Sequence, residues 1–213
     1  KKVWKYRFVS SLFSFFTCLA LFLIGSKVFS RDIAFIGAIT LNCSLLFIIE
    51  SHVAKTDAIL LTFSVISMLL LCGYYVGVFK KKYDIYFFIF WISFGLSILV
   101  KGPVLPIMII LSILFIFAVK KKFMWILRTN PLIGLIIPLL IVTPWFLSVS
   151  AAEQSNFINE GFKNDFLNKL IGVQENHGAF FGAHSLAIIL LLFPMSLFII
   201  PSTIQILKNI KLK

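Results

Sequence analysis

The chain has 213 residues, 60% of them hydrophobic and 13% charged, with a net charge of +12. A soluble domain of this size carries far more charge, so these figures exclude one. They also argue against nucleic-acid binding, because the basic residues fall in short clusters between apolar runs and form no soluble basic face.

Apolar runs near bilayer-spanning length recur along the whole sequence, and the alternating ten-residue segments of a barrel do not occur. The sequence therefore predicts an all-α fold, a polytopic transmembrane helical bundle. Seven spans can be drawn, near 8–24, 33–49, 58–79, 85–100, 104–119, 131–149 and 183–206. Together they predict a single transmembrane domain over 1–213.

Taken in order, the first span is followed by "SKVFSRD" (26–32). The second contains Asn42, which is expected to bond to a neighbouring helix. After it, "ESHVAKTD" (50–57) gathers Glu50, His52, Lys55 and Asp57 between two apolar segments. On a continuous helix, Glu50, Ala54 and Asp57 would share one face and Ser51 and Lys55 another. The plain reading is a solvated turn in which Asp57 caps the next helix or sits in its first turn. A lysine beside an apolar wall also suits a phosphate head group at the membrane surface, and Lys55 is a candidate for that role.

The third span runs into "KKKYD" (80–84). The fourth and fifth are separated only by "KGP", with Gly102 and Pro103 supplying a tight turn. Lys101 ends the fourth span, where snorkelling alone would explain it. Pro138 and Pro144 are expected to kink the sixth span, and Pro194 and Pro201 the seventh.

The connection 150–182 reads as an external loop. Ile158, Phe162, Phe166 and Leu170 recur every four residues opposite a polar face, as in an amphipathic helix lying in the membrane interface. Gly172 is a fitting stop. "GVQENHGAFFG" follows, dense in hydrogen-bonding groups. It is a candidate substrate-contacting loop, with a plain solvated loop as the alternative.

Cys18, Cys43 and Cys72 each lie alone in an apolar run and read as small buried side chains. The three histidines lack ligand spacing, so no metal or cofactor site is expected.

Sidedness follows from the basic residues. With "KKKYD" in the cytoplasm, "SKVFSRD", "KKKFMWILR" (120–128) and "KNIKLK" (208–213) join it, and twelve of the twenty Lys and Arg lie on that side. Glu50, Asp57, Glu153, Glu160, Asp165 and Glu175 fall on the other. The N-terminal "KKVWKYR" disagrees, placing four positive charges outside. Three polar places, "ESHVAKTD", "VKGP" and 150–182, share the outer face.

The ordered set "ESHVAKTDAILL", "FGLSILVKGPVLPIMIILSILF", "IVTPWFLSVS", "FLNKLIGVQENHGAFFG" and "LLLFPMSLF" resembles bacterial members of the superfamily that contains aminoarabinose transferases and dolichyl-phosphate-mannose-protein mannosyltransferases. These are integral membrane glycosyltransferases of the GT-C fold, and the resemblance covers nearly all of the chain. It implies a polyprenyl-phosphate-linked sugar as donor, a lipid (lipid A-like) or protein acceptor, transfer on the non-cytoplasmic face, and residence in the bacterial inner membrane. The resemblance implies substrate-binding roles for Lys55, Asp57, Lys101, Lys169, Gln174, Glu175 and His177, with Lys55 or Lys101 on the lipid phosphate and Glu175 or His177 on sugar or phosphate. The family's catalytic base lies in its first external loop. The opening "KKVWKYRF" resembles the stretch just after that loop, so the base is expected upstream of Lys1, the chain is expected to be a central fragment, and other fragments of the same enzyme become expected partners.

Two other readings remain at this level. A transporter would place ionisable groups in mid-membrane, and no span here has a charge at its centre. A non-catalytic membrane subunit would leave the outer-face clusters as solvated turns.

Overall fold

A computed structural model describes residues 4–81, 83–121, 123–151, 187, 189–194 and 196–211. Every regular element among them is helical. In chain order they are α1 (Trp4–Val28), α2 (Arg31–Asn42), α3 (Leu45–His52), α4 (Asp57–Val76), α5 (Ile85–Lys101), α6 (Val104–Lys120), a 3-10 helix (Met124–Thr129), α7 (Pro131–Gly134), α8 (Ile136–Ala151) and α9 (Ser196–Lys211). The multi-pass helical membrane bundle is as the sequence predicts.

Among the described residues, three helical stretches are long and apolar enough to cross a membrane: Arg7–Val28, Asp57–Val76 and Pro131–Ser148. The pair α2 and α3 makes a fourth if taken as one span. At 17 residues each, α5 and α6 rise about 25 Å, a little short of a hydrocarbon core of about 30 Å.

The expected second span, 33–49, is not one helix. It breaks between Asn42 and Leu45 and bends by 63°. Ser44 is extended there and caps α3. The break docks on a distant segment: the freed Leu45 N–H donates to the Phe193 carbonyl at 3.2 Å, and the Ser44 side-chain hydroxyl to the Leu191 carbonyl at 3.3 Å. Buried backbone in a membrane must be satisfied, and this docking does so. Asn42 consequently ends a helix, is exposed and lines a groove instead of bonding across helices.

Other expectations shift by smaller amounts. "KGP" forms the hairpin turn as read, with Gly102 at φ +67. The sixth span is interrupted at Leu135, before Pro138, which sits in the first turn of α8 where proline is tolerated. The seventh span, expected over 183–206, is helical at 187 and 189–191, turns at 192–194 and continues as α9 from Ser196; 183–186, 188 and 195 lie outside the described residues. Cys18 and Cys72 are half-buried and Cys43 is exposed at the break.

Small residues set the packing order. α1 and α4 lie side by side and run parallel at a constant offset. Ser10 Oγ donates to the Lys55 carbonyl at 3.2 Å, Thr17 and Thr62 hydroxyls meet at 2.8 Å, and Val28 packs against Gly73. Ser10, Ser14, Thr17 and Thr62 are all buried along this seam. Where lipid is as apolar as leucine, close approach and small hydroxyl bonds are what hold helices together. α5 returns antiparallel to α4, with Tyr74 against Phe90. α8 runs parallel to α5, Gly134 beneath Trp91 and Gly95 beneath Pro138.

The core contains Leu70, Leu71, Tyr74, Phe79, Phe87, Phe90, Trp91, Leu105, Ile109 and Trp125. Its aromatic members sit toward the end of the bundle where α1 and α4 finish and α5 begins. This end also carries Lys27, Lys80, Lys81, Lys120, Lys121 and Arg128, and is called the lysine-rich end below. The start of α1, the end of α3, the start of α4 and the α5–α6 turn meet at the opposite end.

Candidate functional site

At that opposite end the chain brings two of its polar places together. α3 stops at His52, and residues 53–56 leave the helical conformation before α4 begins at Asp57. The expected common helical face for Glu50, Ala54 and Asp57 therefore does not exist, because the helix ends between them. The linker is held from outside. Ser11 Oγ on α1 donates to the Ser51 carbonyl at 2.8 Å, and Ser10 Oγ to that of Lys55.

This linker turns Lys55 back toward α3, where its ammonium donates to Glu50 Oε1 at 3.2 Å. Asp57 takes the first turn of α4, as its plain reading had it, and a negative charge is favoured there. Its Oδ1 accepts from Lys101, the last residue of α5, whose positive charge is favoured at a helix C-terminus. Two lysine–carboxylate pairs thus form side by side, one local and one joining residues 44 apart in sequence. The lysine side chains are half-exposed, at 51% for Lys55 and 48% for Lys101. Pairs so wet contribute little to stability, and their ammonium groups stay accessible to a ligand.

Behind the pairs is a cavity of about 250 Å³ between α1, α3 and α4. Glu50, Asp57, Ser14, Ser44, Phe47 and Leu61 are among its walls. Glu50 Oε2 is buried and has no hydrogen-bond partner among the described residues. Next to it, α1, α2 and α3 enclose an open groove of about 670 Å³. Phe15, Phe22, Phe35, Ile39 and Phe47 line its length, and Ser11, Ser51 and His52 line its polar mouth. His52 Nδ1 lies 2.7 Å from the Ile48 carbonyl, so a proton there anchors the ring at the mouth. The groove exists because the second span is broken and α3 diverges from α2.

Of the residues singled out in the sequence, Lys55, Asp57 and Lys101 converge here. Lys169, Gln174, Glu175 and His177 lie outside the described residues, as does the expected interfacial helix. Of the two acids expected to sit near Lys55, Glu50 is its ion-pair partner and Asp57 pairs with Lys101 instead; the hydroxyls of α1 that hold the linker are not among the residues singled out. A signal for these hydroxyls was present: Ser10 and Ser11 stand together near the start of an otherwise apolar span, with Ser14 and Thr17 continuing from Ser10 at helical spacing.

The model of the family described as dolichyl-phosphate-mannose-protein mannosyltransferase matches residues 1–147. The chain belongs to that family. Its class is that of multi-pass membrane glycosyltransferases of the GT-C type. The match spans α1 to most of α8 and so contains both lysine–carboxylate pairs, the groove, and the walls of the cavity apart from Leu192. No curated protein and no solved structure matches the chain.

Proposed function

We propose that this chain takes part in transferring a sugar from a polyprenyl-phosphate donor to a lipid A-like glycolipid or a protein on the non-cytoplasmic face of a bacterial inner membrane, in the manner of the aminoarabinose transferase branch. The observation that carries the reading is the convergence of Lys55 and Lys101, each paired with a carboxylate that lines the small cavity, at the end of the bundle where the neighbouring apolar groove has its polar mouth. A polyprenyl phosphate has this same division, an anionic head on a long apolar chain. In this reading the two ammonium groups hold the phosphate, and the aromatic-lined groove takes the first isoprene units.

The chemistry asks for cations at that place. Negative charge grows on the leaving phosphate as the sugar bond breaks, and fixed positive charge stabilises it. Asp57 and Glu50 position the lysines, and the free Glu50 oxygen is an acceptor for a sugar or acceptor hydroxyl entering the cavity. The distribution of Lys and Arg supports placing this end outside. The 213 residues act as one transmembrane domain, and 150–182 forms its external loop. α8 ends on the same side as Lys101, which supports proposing Lys169, Gln174, Glu175 and His177, in the sequence that follows it, as further donor contacts.

Binding tests the reading without requiring turnover. Purified chain should bind undecaprenyl phosphate, and Lys55→Ala and Lys101→Ala should each weaken binding about tenfold or more, the worth of one charge-assisted hydrogen bond. Equal affinity in wild type and both variants would remove the phosphate from this end.

A further inference from the structure

The lysine-rich end holds a second cavity, on the opposite side of the membrane from the paired lysines. Its volume is about 580 Å³ and its walls are Tyr75, Val76, Lys121, Phe123, Trp125 and Arg128, with Met124 at the rim. Three elements build it: the end of α4, the residue that closes α6, and the 3-10 helix. We propose that this cavity binds the phosphate of an anionic phospholipid from the leaflet at the lysine-rich end.

The argument begins with Arg128. Its Nη1 donates to the Tyr74 carbonyl at 3.1 Å, one of the carbonyls left open at the end of α4. Gly77 makes room for it. That residue closes α4 at φ +87, and a Cβ there would come within 2.8 Å of Arg128 Nη1. The guanidinium is thereby fixed by one of its five N–H donors, and the others have no partner among the described residues. Lys121 closes α6 in the left-handed conformation, its backbone N–H donating to the Phe117 carbonyl at 2.8 Å, while its ammonium has no ion pair or hydrogen bond among the described residues. Both cations line the same cavity, and no carboxylate among the described residues does. The two acids carried by the loops at the lysine-rich end stand at helix starts: Asp84 accepts from Phe87 N–H at 3.0 Å as the cap of α5, and Asp32 lies in the first turn of α2.

The remaining walls select a lipid over a free anion. Tyr75 and Trp125 pack edge to face at 5.3 Å, an aromatic pair of the kind that sits at head-group level. Phe123, Met124 and Leu127 are exposed, Met124 by 75%. They give the 3-10 helix an apolar side on which the glycerol and upper acyl carbons of a phospholipid can lie. A soluble phosphate would gain nothing from that side.

The test is native mass spectrometry of the chain released from nanodiscs of phosphatidylcholine containing a minor fraction of phosphatidylglycerol. Wild type should retain phosphatidylglycerol in preference to phosphatidylcholine. Lys121→Gln should reduce the retained adduct about fivefold. Lys80→Gln, at the same end but outside the cavity, should leave it unchanged. Arg128→Lys keeps the charge and removes the planar fork, and should also lose adduct. Should Arg128→Lys fail to fold, Lys121→Gln against Lys80→Gln still decides. Equal losses for those two lysines would mean diffuse surface attraction and overturn the site. Displacement of the lipid by inorganic phosphate would assign the cavity to a free anion and also overturn the proposal.

Discussion

Replacing Lys55 separates the two roles a lysine can have at a membrane surface. Its ion pair with Glu50 spans 3.2 Å, with the lysine 51% and the glutamate 23% exposed. Such a pair contributes roughly 0–1 kcal/mol to stability. The larger structural cost of Lys55→Ala comes from the carboxylate left behind, since Glu50 Oε2 is already buried without a partner. Leaving that group uncompensated costs about 1–3 kcal/mol. The double variant Lys55→Ala/Glu50→Gln removes most of this cost. The functional loss should be larger and should survive in the double variant. Removing a cation from a developing phosphate charge costs roughly 2–4 kcal/mol of transition-state stabilisation, or about two to three decades in rate. The assay is transfer of labelled sugar by membranes carrying each variant in its native genomic context, beside a thermal melt of the purified protein. Lys55→Arg should retain part of the activity. Transfer at the wild-type rate by Lys55→Ala would refute the phosphate role and leave "ESHVAKTD" as a solvated turn, with Lys101 the better candidate.

Two further predictions address the frame around the site. Gly95→Ala would set a Cβ 2.9 Å from the Pro138 Cα, so α8 must move away from α5; a loss of about 1–3 kcal/mol is expected, read as a lowered melting temperature in detergent. In a background without Cys18, Cys43 and Cys72, a cysteine at Asn156 should react with a membrane-impermeant thiol reagent in intact cells while one at Lys121 should not, and the reverse pattern would invert the proposed sidedness.

The elements of the fold were legible because a bilayer imposes a length and a polarity on each span. The hairpin at Gly102 and Pro103 was legible for the same kind of reason, since a turn between two apolar runs admits few residues. The break in the second span was hidden. Hydropathy continues across Asn42, Cys43 and Ser44, and no Gly or Pro marks the place. What ends α2 is tertiary: the 191–193 segment supplies the carbonyls that Ser44 and Leu45 need. The end of α3 was hidden likewise. Nothing in "HVAKTD" forbids a helix, and it is the α1 hydroxyls of Ser10 and Ser11 that draw two backbone carbonyls out of it. Lys101 and Asp57 were each singled out alone, but their meeting follows from α5 packing antiparallel to α4, which one sequence does not state.

The two ends of the bundle are built from different materials, and the difference bears on function. Toward the lysine-rich end, interlocked aromatic rings such as Tyr74 with Phe79 and Phe90 fill the space between helices. Toward the other end, Ser10, Ser14, Thr17 and Thr62 bring α1 and α4 into close contact. Close contact on one side of α1 leaves its other side to α2 and α3, and these diverge by 63°. A groove between helices stays open only if its walls cannot close on each other. Here α1 is pinned to α4 by buried hydroxyl bonds, while α3 is pinned at its start by Phe193 and at its end by Ser11. Neither wall is free to collapse into the gap. In the proposed reaction this matters more than any single charge. The lysines supply attraction for a phosphate, and the pinned walls determine that an isoprenoid chain can follow it in without the bundle having to reorganise first.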